Sequence, residues 1–524
     1  MCKDFTIKRY IFLILALLAV VTATASTTGK IAGVISDQDS GEPLIGVNII
    51  IPELGVGAAS NMDGYYVILN VTPGRYSIIV NYIGYSQTQV NNVDVSIDLT
   101  TQLNIAMREE SLSGETVFIT ARKPVVKKDI ASSQTNLSAK EIENLPVNSV
   151  ADIVGLQAGV EGMSIRNGGE DEMVLLMDGV TLRDDRTGKP ISGVPLSSVQ
   201  EILIQSGGFN AEYSDLQSGL VSIVTREGDK NKYSMNLSSK YSSPAAKHAG
   251  PSIYDPHSYF LRPYLDEAVC WEGTDNGNWD ANMQAQYPSF HGWNSVSEGL
   301  MSDDDPNNDL TPEGAKRLFE WQTRRQGDII IPDYTIDAGF GGPVPLMGEA
   351  LGNLRFFTAF SRNQKAYLVP FSRDAYADWM WTFRLTSDLS PKTKLSFSTV
   401  KKEIQAVSSN EEGQPGYFQS IWDVAGAFGT SSQQSSKIFY PHYWSNTDVH
   451  TNLISSKLTH IVNAASFIEG LAEYSQTRYD TYPDDPRDYN DSTDIFPGSE
   501  TYFTNPAPYG VDSGLYPSIG SIFM

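Results

Sequence analysis

The side chains that could do chemistry do not converge in this sequence. Asp178, Glu212 and Asp215 could form a carboxylate group for acid–base work, but no His or Lys stands in a motif with them, so a catalytic reading lacks its partners. Asp63 could ligate a metal, yet an Asp directly before Gly64 is ordinary turn chemistry. The acidic run that begins at Asp303 and ends at Asn308 resembles the start of a calcium loop, but it has no Gly at the sixth position and no Glu at the twelfth, as an EF-hand requires. His248, His257 and His291 stand in loop-like sequence, outside any ligand spacing. Cys2 and Cys270 are the only cysteines, too few for a disulfide framework or a Cys-based zinc site. These readings predict no enzyme, no metal and no cofactor.

Composition points to surfaces and strands instead. The 524 residues carry 62 acidic and 38 basic side chains, a net charge of −24, with 40% hydrophobic and 10% aromatic residues. That is too apolar and aromatic for a disordered acidic chain. A chain of this sign repels a phosphate backbone, so a nucleic-acid partner is excluded. After the N-terminus no apolar run reaches the roughly 18 residues of a spanning helix, so a membrane form must be a barrel.

Lys3, Lys8 and Arg9 precede an apolar run over residues 10–21, and Ala23-Thr24-Ala25 supplies the small residues of a signal-peptidase site. The expectation is a signal peptide over residues 1–25, cleaved after Ala25. Cys2 leaves with it, and the charge moves to −26, because three cations and Asp4 are lost from −24. From 29 to 108, short β-branched and aromatic runs alternate with Asp63-Gly64 and Pro73-Gly74 turns, the pattern of a small β-sandwich. The order GKIAGVISDQDSGEPLIGVNI, then NMDGYYVILNVTPGRYSIIVNYIGY, resembles the carboxypeptidase regulatory-like domain, an immunoglobulin- or prealbumin-like sandwich without catalytic residues.

Residues 109–128 read as a tether with one extended run, Glu115-Thr116-Val117-Phe118-Ile119-Thr120-Ala121. It resembles the TonB box of outer-membrane receptors, which an energy-transducing protein of the periplasm captures by strand addition. The alternative for this run is a last strand of the preceding sandwich. Residues 129–228 resemble the α+β plug domain of TonB-dependent receptors. The motif residues are Arg166, Gly168 and Gly169 in a turn interrupted by Asn167, then Asp178-Gly179, then a final strand over 218–225. Arg166 could latch the plug to a carboxylate of the barrel wall, or be a solvated surface Arg.

From 229 to 524 the chain reads as about seven barrel strands of alternating polarity, for example at Tyr233, Met235, Leu237 and Tyr241, and at Trp379, Trp381, Phe383 and Leu385. Long connections (242–332, 406–445) alternate with short ones (343–353, 390–392, near Asn463), as in a barrel whose loops face one side of the membrane. The first long connection is rich in Trp and Tyr among acids. These could stack on sugars or cations, or pack the loop on itself. The family barrel is larger than about seven strands, so the chain is expected to be the N-terminal part of a longer receptor.

The resemblance as a whole implies a mainly β protein of the outer membrane of a Gram-negative-type bacterium, with its N-terminal domain in the periplasm. It implies TonB-coupled active import of an unidentified ligand and no cofactor. Its partners would be a TonB-type energy transducer, outer-membrane lipid and a small-molecule, glycan or peptide ligand. Two rivals stay open: a SusC-type glycan or peptide importer working with a surface lipoprotein, and a non-transporting adhesin or envelope scaffold.

Overall fold

The computed structural model describes residues 27–109, 117–120, 133–166, 168–208, 217–245, 247, 251–302, 309–323, 330–408, 417–429, 437–439, 444–463 and 466–482. The expected signal peptide with Ala23 and Ala25, as well as Glu115, Thr116, Ala121, Asn167, Glu212, Asp215 and His248, lies outside them.

The first unit is a two-sheet sandwich. Strands β1 (Gly29–Asp37), β4 (Tyr65–Val71), β7 (Thr100–Gln102) and β8 (Ile105–Met107) make one sheet, with β1 at its centre. The other runs in the order β3 (Val56–Ala59), β2 (Asn48–Ile51), β5 (Gly74–Asn81), β6 (Thr88–Val95), β9 (Val117–Thr120). Ile31, Ile35, Ile49, Ile51, Tyr66 and Val80 meet between the sheets, all of them buried. Period-2 alternation puts them there: each strand sends every second side chain inward. The turn before β4 is set by Asn61, whose Oδ1 accepts from the Asp63 and Tyr65 amides at 3.0 and 2.8 Å. Asp63 therefore serves as a turn residue.

The second unit is a five-stranded mixed sheet in the order β10 (Ser133–Ser138), β15 (Val199–Gly207), β16 (Gly219–Thr225), β13 (Met173–Met177), β14 (Val180–Thr181). A two-stranded ribbon, β11 (Val160–Glu161) with β12 (Ser164–Ile165), lies beside it. Short helices at Ala139–Glu143 and Val150–Gly155 follow β10; the first has the Ser138/Glu141 capping box, and Ser149 caps the second. Every residue of β16 is buried, as a central strand covered on both faces requires.

The third unit is a seven-stranded antiparallel wall in sequence order: β17 (Ser234–Ser242), β18 (Asp333–Pro343), β19 (Arg355–Ala366), β20 (Ala375–Ser390), β21 (Thr393–Ser408), β22 (Ser445–Asn463) and β23 (Ser466–Tyr482). Seven strands and alternating long and short connections agree with the sequence pattern. β17 has nine residues and the other six strands run from 11 to 19. At ~3.3 Å per residue and ~45° tilt, the 19 residues of β22 rise about 44 Å, against an apolar band of about 25 Å. The excess lies at the long-loop end, where neighbouring strands keep satisfying each other's backbone groups beyond the band. Met235, Leu237, Trp381, Phe397 and Ile454 are exposed on the outer face, while Thr382, Ser398, Lys402 and Thr451 are buried on the inner one. No helix among the described residues is long and apolar enough to cross a membrane.

Candidate functional site

The second unit sits inside the curve of the wall. Met380, Val400 and Leu453, buried on the inner face, share one apolar cluster with Ile165 of β12 and with Met177, Ile202 and Ile223 of the five-stranded sheet. Polar contacts flank this cluster. Asp337 of β18 accepts from the amides of Leu196 and Ser197 at 2.7 and 2.9 Å, the Ser361 hydroxyl donates to the Gly193 carbonyl at 2.9 Å, and Lys402 donates to the Ser192 carbonyl. Gly339 is required here for space: a Cβ would lie 2.9 Å from that of Ser197.

The strongest contact is an ion network at the short-turn end of the wall. Asp178-Gly179 forms the two-residue turn between β13 and β14, with φ +54° and +90°, the left-handed pair that favours Asp-Gly. The turn aims the Asp178 carboxylate at the end of β16, where it accepts from the Thr225 amide at 2.9 Å, and at the wall, where Arg384 pairs with it at 2.9 Å. Two residues past β16, Glu227 accepts from Arg355 at 2.8 Å, Arg384 at 3.1 Å and Lys394 at 2.9 Å. Asp388 balances the remaining charge by pairing with Arg355 at 3.1 Å and Lys230 at 3.0 Å. Burial alone would raise the Glu227 pKa, but Lys394, Arg384 and Arg355 together hold it below the usual carboxylate range. Gly228 lets the chain pass at this point, because a Cβ there would stand 2.3 Å from the Phe356 carbonyl oxygen.

The plug-motif residues occupy different parts of this arrangement. Asp178 and Gly179 are in the network. Gly168 packs against Ser218, and Gly169 precedes the turn at Glu170–Glu172. Arg166 (φ +54°) is exposed and its guanidinium lies beside Gly207 of β15; it pairs with no wall carboxylate among the described residues. The ion pairs between plug and wall run with the opposite sign: carboxylates on the plug, cations on the wall. Arg355, Arg384, Lys394 and Glu227 were not singled out from sequence. Their signal was there: cations at inward positions beside outward apolar residues, as Arg384 stands between Phe383 and Leu385.

Of the run resembling a TonB box, Val117–Thr120 is β9 and pairs in parallel with β6. At the long-loop end a cavity of about 600 Å³ separates the plug loop around Pro190 and Ile191 from Lys402, Tyr417, Asp423 and Thr451. Several aromatic residues of the first long connection pack against one another or against its acids. Trp293 is fully buried among Tyr264, Phe290 and Phe319, Trp271 donates to Glu267 at 2.7 Å and Trp279 to Asp266 at 3.2 Å. His257 hydrogen-bonds Asp255 in a turn.

Residues 31–119 match the CarboxypepD_reg-like domain. The chain is similar to the TonB-dependent receptor P3 of Formosa agariphila, 22% identical over 290 residues, which is 52% of this chain and 28% of that protein. The TonB-dependent receptor SusC of Bacteroides thetaiotaomicron is 20% identical over 302 residues, 53% of this chain and 29% of the relative. Among solved structures, the siderophore receptor PirA from Acinetobacter baumannii covers 66% of this chain with 40% of its own, at 13% identity and a TM-score of 0.38. The chain spans less than a third of the length of these curated relatives. The chain thus carries a CarboxypepD_reg-like domain and is similar in sequence to TonB-dependent receptors.

Proposed function

We propose that this chain belongs to a receptor that imports its ligand by TonB-coupled active transport. The single observation that favours this reading is the plug held inside the wall by a buried, breakable ion network. A plug fixed for structure alone is better served by apolar contacts, since a buried ion pair adds little net stability over them. Such a pair suits a contact that must be both specific and reversible. In this reading the residues around the 600 Å³ cavity meet the ligand, and Glu115, Thr116, Val117, Phe118, Ile119, Thr120 and Ala121 are the transducer's handle.

The similarity to SusC favours a second reading within transport, a glycan or peptide importer with a surface lipoprotein partner. Co-purification of a lipoprotein with the tagged receptor from native membranes would select it. Deleting residues 115–121 separates both importers from a non-transporting adhesin: an importer loses transducer-dependent ligand uptake and keeps surface binding. If uptake survives that deletion, import through this handle is wrong.

A further inference from the structure

The N-terminal sandwich holds the strand on which the proposed import cycle would pull. Residues 117–120 pair in parallel with 88–91 of β6, register Thr88 to Val117 through Asn91 to Thr120. The same edge already carries the incoming chain: Tyr85 bridges Glu109, and the Ser86 amide donates to the Arg108 carbonyl at 2.9 Å. β9 is the last strand of its sheet, and Phe118 (68%) and Ile119 (37%) are exposed. It is therefore held by backbone pairing on one side, with Phe118 and Ile119 both in solvent, which marks a segment that opens at low cost.

The sandwich is itself anchored. Ile97 is buried against Leu203 and Val224 of the plug sheet, and Gln200 donates to the Pro73 carbonyl at 3.2 Å. On the wall side Lys230 donates to the Leu54 carbonyl at 3.3 Å and Lys457 to the Thr27 hydroxyl at 2.8 Å. A pull on β9 thus meets two routes. One runs through the β6 ladder into an anchored sandwich; the other runs through residues 121–132 to β10.

We propose that the sandwich is a clutch on the tether: while β9 stays on β6 the sandwich bears the load, and only after β9 peels away does force reach the plug. The inference rests on residues 115–121 being the transducer's handle. The strand has a second, unpaired edge among the described residues, so a partner strand can add there while β6 still holds the first. Twelve residues separate Thr120 from Ser133, so the chain freed by peeling can reach at most about 40 Å before the plug is loaded.

The test is single-molecule pulling on the whole receptor in a supported bilayer, with the transducer's periplasmic domain on the probe. Gln89→Cys with Phe118→Cys, an in-register pair, closes a disulfide across the clutch; the native Cys270 is buried. The expected wild-type trace has two steps, the first releasing no more than about 40 Å. Oxidation of the double variant should leave attachment frequency within about twofold of its reduced form and abolish the first step, and reductant should restore it. The clutch is overturned if the oxidised variant gives the reduced trace, if oxidation abolishes attachment, or if the wild type shows 40 Å of slack from the start. Failure of a peptide of residues 112–124 to bind the transducer domain would instead sink the handle itself, and with it the proposed function.

Discussion

Glu227 is the residue whose loss should cost the plug most. Its two oxygens accept from three wall cations, and its side chain is 16% exposed beside Arg355 at 4%, Arg384 at 14% and Lys394 at 26%. In Glu227→Ala, Arg384 keeps Asp178 and Arg355 keeps Asp388, whereas Lys394 loses both carboxylate contacts, at 2.9 and 3.1 Å. Removing one partner of a buried pair costs about 3–5 kcal/mol. That is roughly a 100- to 4,000-fold change in the equilibrium between seated and open plug. Amide hydrogen exchange of β16, buried along its whole length, reads that equilibrium directly. Exchange of β16 should accelerate at least about 100-fold in Glu227→Ala, and Lys394→Met added to it should recover a large part of the loss by removing the orphaned charge. Because the folded pKa of Glu227 is depressed, its contribution is complete above the ordinary Glu value and is lost only as pH falls through the folded one. Wild-type protection, corrected for intrinsic exchange, should therefore stay flat from pH 8 to about 5. Glu227→Gln should show a deficit at neutral pH. Unchanged β16 exchange in both Glu227 variants would refute the network as the plug's latch.

Two further outcomes concern the region above the wall. Trp293→Ala removes a fully buried side chain that also donates to the Tyr264 carbonyl at 2.9 Å, and should destabilise the packed first long connection by about 3–5 kcal/mol while leaving β16 exchange unchanged. Cys270 is buried and burial pushes its thiol pKa up to about 11, so maleimide labelling at pH 7.5 should be negligible in the native receptor and should become fast in Trp293→Ala.

The strands were legible because a wall between lipid and plug forces a period of two, and the short turns were legible because Ser390-Pro391-Lys392 and Asn463 leave no room for anything else. Asp178-Gly179 was legible as a turn, since few other dipeptides adopt two left-handed residues cheaply. Its role was not. The partner Arg384 lies 206 positions away, and no local pattern encodes a contact made only when plug and wall meet. The same reason explains Arg166: an Arg-Gly-Gly turn advertises a positive charge, while the place it points to depends on how β12 and β15 pack. Val117–Thr120 was open between tether and sandwich strand, because four extended residues fit either; the pairing with β6 is a tertiary choice.

The geometry of β10 determines how a pulled plug should open. β15 begins beside the ion network, where Val199 pairs with Thr225, and runs away from it toward Gly207. Ser133 pairs with Gly207 and Ser138 with Glu201, so the tether joins β10 at the end farthest from the network. Six residues at ~3.3 Å put that junction about 20 Å deeper into the wall. A pull toward the short-turn end must fold the chain back along β10 and break its pairs one at a time from Ser133, rather than shear all of them together. β10 is also the edge of its sheet, while Asp178 follows β13 and Glu227 follows β16, so the ion network holds while β10 opens. Import should then open the plug at β10 first, with β13 to β16 seated until the ion network breaks. Gln134→Cys with Gln205→Cys, paired in register, staples the second rung of that ladder. The oxidised receptor should still bind the transducer's periplasmic domain and pass the clutch step in pulling traces, but β10 should not extend. Exchange of β16 should stay protected under load in the reduced form. If β16 loses protection as soon as β10 moves, the plug leaves as one body and the edge-first order is wrong.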